Sequence, residues 1–342
     1  MGIKAFICGV AGLTLTGQER DFLRAEQPWG FILFKRNVSD RPQVTALVSE
    51  LRKCVGRPDA PVLMDQEGGR VQRLQPPEWP AYPRGAVFSR LYDHNPTEGL
   101  RAAYLSARLI ADDLLELGVT VDCLPLADVP VAGADAVIGD RAYGTEPGKV
   151  AAIARAVTEG LEAGGVLPIL KHIPGHGRAT ADTHFLLPVV DTEVSELERT
   201  DFAAFRPLAH LPMAMTAHVV FSALDRAQPA TTSATIIADV IRGSIGFQGL
   251  LMSDDVSMNA LEGTIADRSR ASIAAGCDMI LHCNGEPEEM VEVAANVPVL
   301  AGQALARAEA ALKARKSPQP FDRKTARAEL DELVARAGAL IA

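Results

Sequence analysis

The chain has 342 residues, 48% of them hydrophobic, with 28 Gly and 22 Pro, which fits a turn-rich globular protein of one large or two ordinary domains. A formal net charge of −9 gives no electrostatic reason to expect nucleic acid or an anionic membrane as partner. No stretch approaches the ~20 apolar residues of a membrane span.

In chain order, short apolar runs recur at 4–10, 30–34, 61–64, 119–124, 166–170, 213–221, 249–253 and 279–283. Their apolarity is continuous rather than alternating, as in strands covered on both faces of a parallel sheet. Helical periodicity falls at 41–55, 97–117, 148–163, 195–209, 232–243, 264–275 and 286–296, with further helices at 301–316 and 326–341. Gly118 is placed as a C-cap. Eight strands alternating with helices predict an α/β fold: a single (β/α)8 TIM barrel with extra C-terminal helices, occupying 1–342 as one catalytic domain. An open doubly wound sheet competes, but no G-x-G-x-x-G follows the first strand. The five cysteines lie mostly inside apolar stretches and include no C-x-x-C, so buried free thiols are expected. The N-terminal apolar run is too short for a secretory signal, and a cytoplasmic protein is expected.

The apolar runs end in chemically capable residues. The second leads to Lys35, Arg36 and Asn37, the third to Asp65, the fifth to Lys171 and His172, the seventh to Asp254 and Asp255, and the eighth to Asn284, while His218 interrupts the sixth. In a barrel these positions meet at one rim, where active sites form.

Three segments concentrate the chemistry. In "KHIPGHGRATADTH" (171–184), Pro174 and the glycines flanking His176 make a tight turn. Asp182 and His184 are two apart, so an extended segment projects both to one side, where the carboxylate can orient the imidazole for proton transfer. The H-x-x-x-H spacing of His172 and His176 is also a metal-ligand spacing, although Pro-Gly between them rules out the helix that would align them. In "LLMSDDVSM" (250–258), Asp254 directly follows a strand and can act as a nucleophile, and one of the Asp254–Asp255 pair is expected to serve structure. In "MDQEGGRVQRL" (64–74), Asp65 with Arg70 and Arg73 offers fixed hydrogen bonds suited to adjacent sugar hydroxyls, and Arg141 follows in the Gly-flanked "IGDRAYG".

Together with "GFILFKRN", these segments resemble glycoside hydrolase family 3, and most closely its bacterial single-domain β-N-acetylglucosaminidases, in family order from about residue 28 to 284. The resemblance implies a TIM barrel that removes terminal β-linked N-acetylglucosamine with retention of configuration. It implies N-acetylglucosaminyl-1,6-anhydro-muramyl fragments, with or without peptide, from cell-wall recycling as substrate. Residue by residue it implies Asp254 as nucleophile, His184 as general acid/base and Asp182 as its dyad partner. Asp65, Arg73, Arg141, Lys171 and His172 match sugar-contacting positions, and His176 a supporting one. No cofactor, metal, nucleic acid or membrane is implied, and a monomer is expected. Ile173, Thr183 and the Ala-Tyr of "IGDRAYG" depart from the usual pattern without removing a functional group. A metal-dependent barrel hydrolase using His172, His176, His184 and Asp254, acetamido-assisted catalysis, a phosphorylase and a sugar-binding barrel without turnover are the alternatives.

Overall fold

A computed structural model describes residues 2–183 and 186–339. Nine parallel strand segments form the main sheet: β1 (Lys4–Cys8), β2 (Pro28–Leu33), β3 (Val62–Met64), β4 (Val121–Asp122), β5 (Leu167–Pro168), β6 (Leu170–Ile173), β7 (Met213–Thr216), β8 (Leu250–Asp255) and β9 (Met279–His282). Their order is β5-β4-β3-β2-β1-β9-β8-β7-β6. The two ends of that order, β5 and β6, are consecutive in the chain and separated only by Ile169. The Ile169 N–H bonds to the carbonyls of both Asp122 and Leu124, and Leu126 pairs in parallel with Lys171. The sheet therefore closes on itself as eight strand positions, one of them broken, and the expected (β/α)8 barrel is what the chain forms. Strand residues are buried almost throughout, as a sheet covered by helices outside and packed side chains inside requires.

The helices outside the barrel are α1 (Gly17–Glu26), α2 (Arg41–Val55), α3 (Gly85–His94), α4 (Pro96–Glu116), α5 (Pro147–Ala163), α6 (Val194–Arg199), α7 (Asp201–Phe205), α8 (Ile265–Ala275), α9 (Pro287–Ala295), α10 (Gly302–Lys313) and α11 (Arg323–Ala339). One apolar core runs from Ala5 to Ala337, so the terminal helices belong to the same body as the barrel. On α11, Glu329 takes two bonds from Arg101 of α4 and Arg336 pairs with Glu98, while Arg323 binds Asp112 and Asp113. Among the described residues no helix is long and apolar enough to cross a membrane.

Several expectations need correction. The apolar run 213–221 is not one strand: β7 stops at Thr216, and Val220–Phe221 pairs with Val189–Val190 outside the barrel. The run 119–124 supplies only two strand residues. The helix expected at 195–209 breaks at Thr200, whose backbone leaves the helical region (φ −118°, ψ −83°). The segment Ile236–Ser244 winds as a wide helix, with the Ile245 N–H bonded five residues back to Val240. Gly118 lies one residue past the cap position, Leu117, with φ +81°, the left-handed conformation that ends α4. The cysteines are free thiols, four of them buried.

Candidate active site

The carboxyl ends of β3, β6 and β8 and the loops after them surround a cavity of about 290 Å3. It is lined by Asp65, Arg73, Arg141, Lys171, His172, His176, Asp182 and Asp254, residues spread over 190 positions of sequence. The rim geometry expected of strand ends in a barrel is what gathers them. His184 lies outside the described residues.

Half of the rim is a lattice of ion pairs. Lys171 Nζ lies 3.0 Å from Asp65 Oδ1 and 2.7 Å from Glu67 Oε1. Arg73 donates to Asp65 Oδ2 at 3.0 Å. Arg141 grips Glu67 through two bonds of 2.8 Å, the bidentate fit of guanidinium to carboxylate. Lys171 is 2% exposed, so its ammonium depends on these partners for solvation. Burial alone would raise the Asp65 carboxyl, but Lys171 and Arg73 hold it well below the ordinary range. Burial likewise opposes ionisation of Glu67, and Arg141 and Lys171 bring it down to about 2. The lattice is ionised at neutral pH, with three cations against two carboxylates.

The backbone beneath the lattice is held by side-chain stand-ins. Gln66 Oε1 accepts the N–H groups of Arg73 and Leu74, and Gly68 (φ +91°) packs so closely that a Cβ would meet the Pro83 carbonyl at 2.4 Å. The Gly-Gly turn thus delivers Arg73 back onto Asp65.

The turn 172–177 is organised by Asp128, a residue the sequence reading missed. Its Oδ1 accepts the backbone N–H groups of His172 (3.2 Å) and His176 (2.7 Å), and its Oδ2 takes the His172 Nδ1–H at 2.8 Å. Burial opposes its ionisation and the two histidines outweigh that, leaving it at about 2. With Nδ1 committed to Asp128, His172 keeps Nε2 for the cavity. His176 stands edge-on to His172 with ring centroids 5.7 Å apart, and burial followed by the His172 neighbour lowers it to about 4, so it is neutral. A Cβ on Gly177 would lie 2.2 Å from the Val129 backbone, which is why the turn passes there only as glycine.

The remaining half of the rim carries Asp254 and Asp255, and the structure divides them. Asp255 is built into the loop: Oδ1 accepts from the N–H groups of Ser257 (3.0 Å) and Cys283 (3.1 Å), and Oδ2 from the Ser257 hydroxyl (2.6 Å). Asp254 lines the cavity, as Asp255 does, with its Oδ1 accepting the Asp255 N–H at 2.8 Å. Burial pushes the Asp254 carboxyl up, and the His218 and His172 imidazoles, the Asp255 N–H and Lys171 outweigh it, so it is held below the usual range. A half-buried ionised carboxylate facing a polar cavity is competent to attack an electrophilic carbon. Other strand-end residues serve the scaffold. Arg36 binds the carbonyls of Val10 and Cys283, buried Asn37 binds those of Val10 and Gly12, and Asn284 donates to Glu289.

Residues 10–314 match the glycosyl hydrolase family 3 N-terminal domain. The chain belongs to this family. Family 3 membership makes it a glycoside hydrolase, as its motifs imply. Among curated relatives, a beta-hexosaminidase of Alkalilimnicola ehrlichii is 37% identical over 302 residues, covering 87% of this chain and 85% of the relative. Among solved structures, NagZ from Neisseria gonorrhoeae in complex with N-trifluoroacetyl-D-glucosamine superposes with a TM-score of 0.88 at 31% identity, covering 98% of each chain. The same NagZ in complex with zinc ion gives 0.86 at 30% identity, covering 98% of this chain and 99% of that one.

Proposed function

We propose that this family 3 hydrolase is a retaining exo-β-N-acetylglucosaminidase. The observation that carries the reading is the meeting of ionised Asp254 with the Asp65–Lys171–Arg73 lattice and His172 in one small cavity. At about 290 Å3 the cavity lies at the small end of ligand pockets, a size for one sugar ring rather than a chain. The beta-hexosaminidase names of the curated relatives and the glucosamine derivative bound by the Neisseria protein support a β-N-acetylhexosaminidase activity.

In this mechanism Asp65, Arg73, Arg141, Lys171 and His172 hold the terminal sugar, the carboxylates accepting from hydroxyls and the cations fixing the carboxylates. Asp254 attacks the anomeric carbon, and His184, oriented by Asp182, protonates the departing oxygen. Having given its proton to the departing oxygen, His184 is neutral. While Asp254 is an uncharged glycosyl ester, it no longer favours reprotonation of the imidazole from solvent, so His184 can take the proton of the attacking water. Water then releases the sugar with its original anomeric configuration. His176 supports the turn that presents His172. The substrates are N-acetylglucosaminyl-1,6-anhydro-muramyl fragments, with or without peptide, hydrolysed by the whole chain acting as one catalytic domain.

Hydrolysis of an aryl β-N-acetylglucosaminide, followed by NMR of the first-formed anomer, tests the reading. The β anomer is expected from the wild type and no turnover from Asp254→Ala. An α anomer, or a fully active Asp254→Ala, overturns it.

The zinc complex of the Neisseria protein makes the metal-dependent alternative worth testing. A carboxylate-backed histidine such as His172 is one way proteins hold a metal ligand. However, His176 stands edge-on beside it, and among the described residues no cluster of three or more His, Cys, Asp or Glu is placed to hold a metal. Unchanged activity after dialysis against EDTA is expected. Loss of activity restored by zinc would favour the metal enzyme.

A further inference from the structure

Behind Asp254 lies a buried hydrogen-bond chain that the mechanism above does not use. Thr216, at the end of β7, receives the Asp254 N–H on Oγ1 at 3.3 Å. Its Oγ1 lies 2.8 Å from the hydroxyl of Thr231, which lies 2.7 Å from His218 Nδ1 and 3.1 Å from the Ala217 carbonyl. His218 Nε2 is 3.0 Å from the carbonyl of Asp255. Thr216, Thr231 and His218 are all fully buried.

Proton accounting gives this chain a direction. A carbonyl can only accept, so His218 Nε2 carries a hydrogen and donates it to Asp255. Burial lowers the His218 pKa despite the nearby Asp254 and Asp255, which favours the neutral ring with Nδ1 bare. The single Thr231 hydrogen has two acceptors, the bare Nδ1 at 2.7 Å and the Ala217 carbonyl at 3.1 Å; given to the nearer Nδ1, it leaves the Thr231 oxygen to accept from Thr216. The sequence of donors runs Asp254 N–H to Thr216, Thr216 to Thr231, Thr231 to His218, and His218 to the Asp255 carbonyl. It begins and ends on the same two-residue stretch of β8. The loop therefore grips the peptide groups on either side of the Asp254–Asp255 peptide, whose N–H fixes the Asp254 carboxylate through Oδ1.

We propose that Thr231 and His218, with Thr216, are positioning residues that set the attack geometry of Asp254 in the hydrolytic reaction. The proposal rests on Asp254 being the nucleophile. Thr231 is the informative member, because it is not among the residues lining the cavity and its hydroxyl reaches Asp254 only through Thr216. Without that hydroxyl, Thr216 loses its acceptor and His218 its donor, and the clamp opens at both ends. A displaced nucleophile slows the first bond-making step whatever the leaving group is, whereas loss of an acid slows only substrates with poor leaving groups.

The test compares Thr231→Val, which keeps the shape and removes the hydroxyl, with Thr231→Ser, which keeps the hydroxyl. Asp254→Ala is the control, and thermal melts report folding. Substrates are an activated aryl β-N-acetylglucosaminide and an alkyl one. Thr231→Val is expected to lose about 10- to 100-fold in kcat on both, with KM changed less than about threefold. Thr231→Ser should stay within about threefold of wild type. Should Thr231→Val fail to fold, Thr216→Val and Thr216→Ser carry the same expectations. Wild-type kcat in the valine variants, equal losses in the serine variants, or a loss confined to KM would overturn the clamp. An active Asp254→Ala would instead remove the nucleophile assignment on which it rests, so the two failures are distinguishable.

Discussion

On the β3–β6 half of the rim, the charged side chains pair with one another. Lys171, Arg73 and Arg141 bind Asp65 and Glu67 within 2.7–3.0 Å, so that half is paired before any sugar arrives. On the β8 half, Asp254 is held through backbone, by the Asp255 N–H and the Thr216 hydroxyl. The first half is paired charge, suited to recognising a neutral polyol without changing its own protonation. The second keeps a carboxylate whose charge, among the described residues, is not cancelled by a contacting ammonium or guanidinium, as bond formation requires. Substitutions should therefore separate cleanly: on the β8 half they alter rate, and on the β3–β6 half they alter binding and stability together.

The largest effect is expected at Asp254. Asp254→Ala should lower kcat by on the order of 10⁴–10⁶ while leaving the thermal midpoint near wild type. A fall in stability comparable to that in the lattice variants would erase the distinction between the halves. Next comes His184→Ala, with a loss of about 10²–10⁴ on substrates with poor leaving groups and much less with an activated aryl group. Equal losses on both substrate types would argue against His184 as the acid.

Lys171→Met probes the other half. It leaves Asp65 and Glu67 buried without their shared cation, and removing one partner of a buried pair costs about 3–5 kcal/mol. Urea unfolding measures this, and a change under about 1 kcal/mol would show that the lattice is not a stability element. The same lattice sets an acid limit. The Glu67 pKa falls from 4.5 to about 2 on folding, so its contribution is full above pH 4.5 and is lost as pH falls towards about 2. The midpoint of the wild type should drop through that window more steeply than that of a Glu67→Gln variant.

The contrast also explains what could be read from the sequence. Strand ends were legible because continuous apolar runs stop abruptly at Asp65, Lys171 and Asp254, and a barrel brings strand ends together whatever their separation. Glu67 was missed although it lies two residues from Asp65. Its meaning comes from Arg141 and Lys171, 74 and 104 positions further on, and nothing local marks that pairing. Asp128 is similar, standing 44 positions from the histidine it orients. The helix α1 did leave a local trace: Thr16 and Glu19 form a capping box, a signal independent of the low apolar content that hid the helix. The Thr216–Thr231–His218 chain left only the oddity of a histidine in an apolar run, because its logic depends on which atoms donate.

The finest comparison lies within β8 itself, between neighbours of identical chemistry. Asp255→Asn keeps Oδ1 as acceptor for the Ser257 and Cys283 N–H groups, and the new amide can donate to the Ser257 hydroxyl that formerly donated to Oδ2. The loop should survive at a cost of about 1 kcal/mol or less, the scale of one rearranged hydrogen bond, with kcat within about tenfold of wild type. Asp254→Asn, equally conservative in shape, removes the attacking oxygen's charge and should resemble Asp254→Ala in rate. Parallel kcat measurements and melts on the two asparagine variants decide the matter. Equal losses of activity would mean that both carboxylates act in the reaction, and the division of labour drawn from their hydrogen bonds would fail.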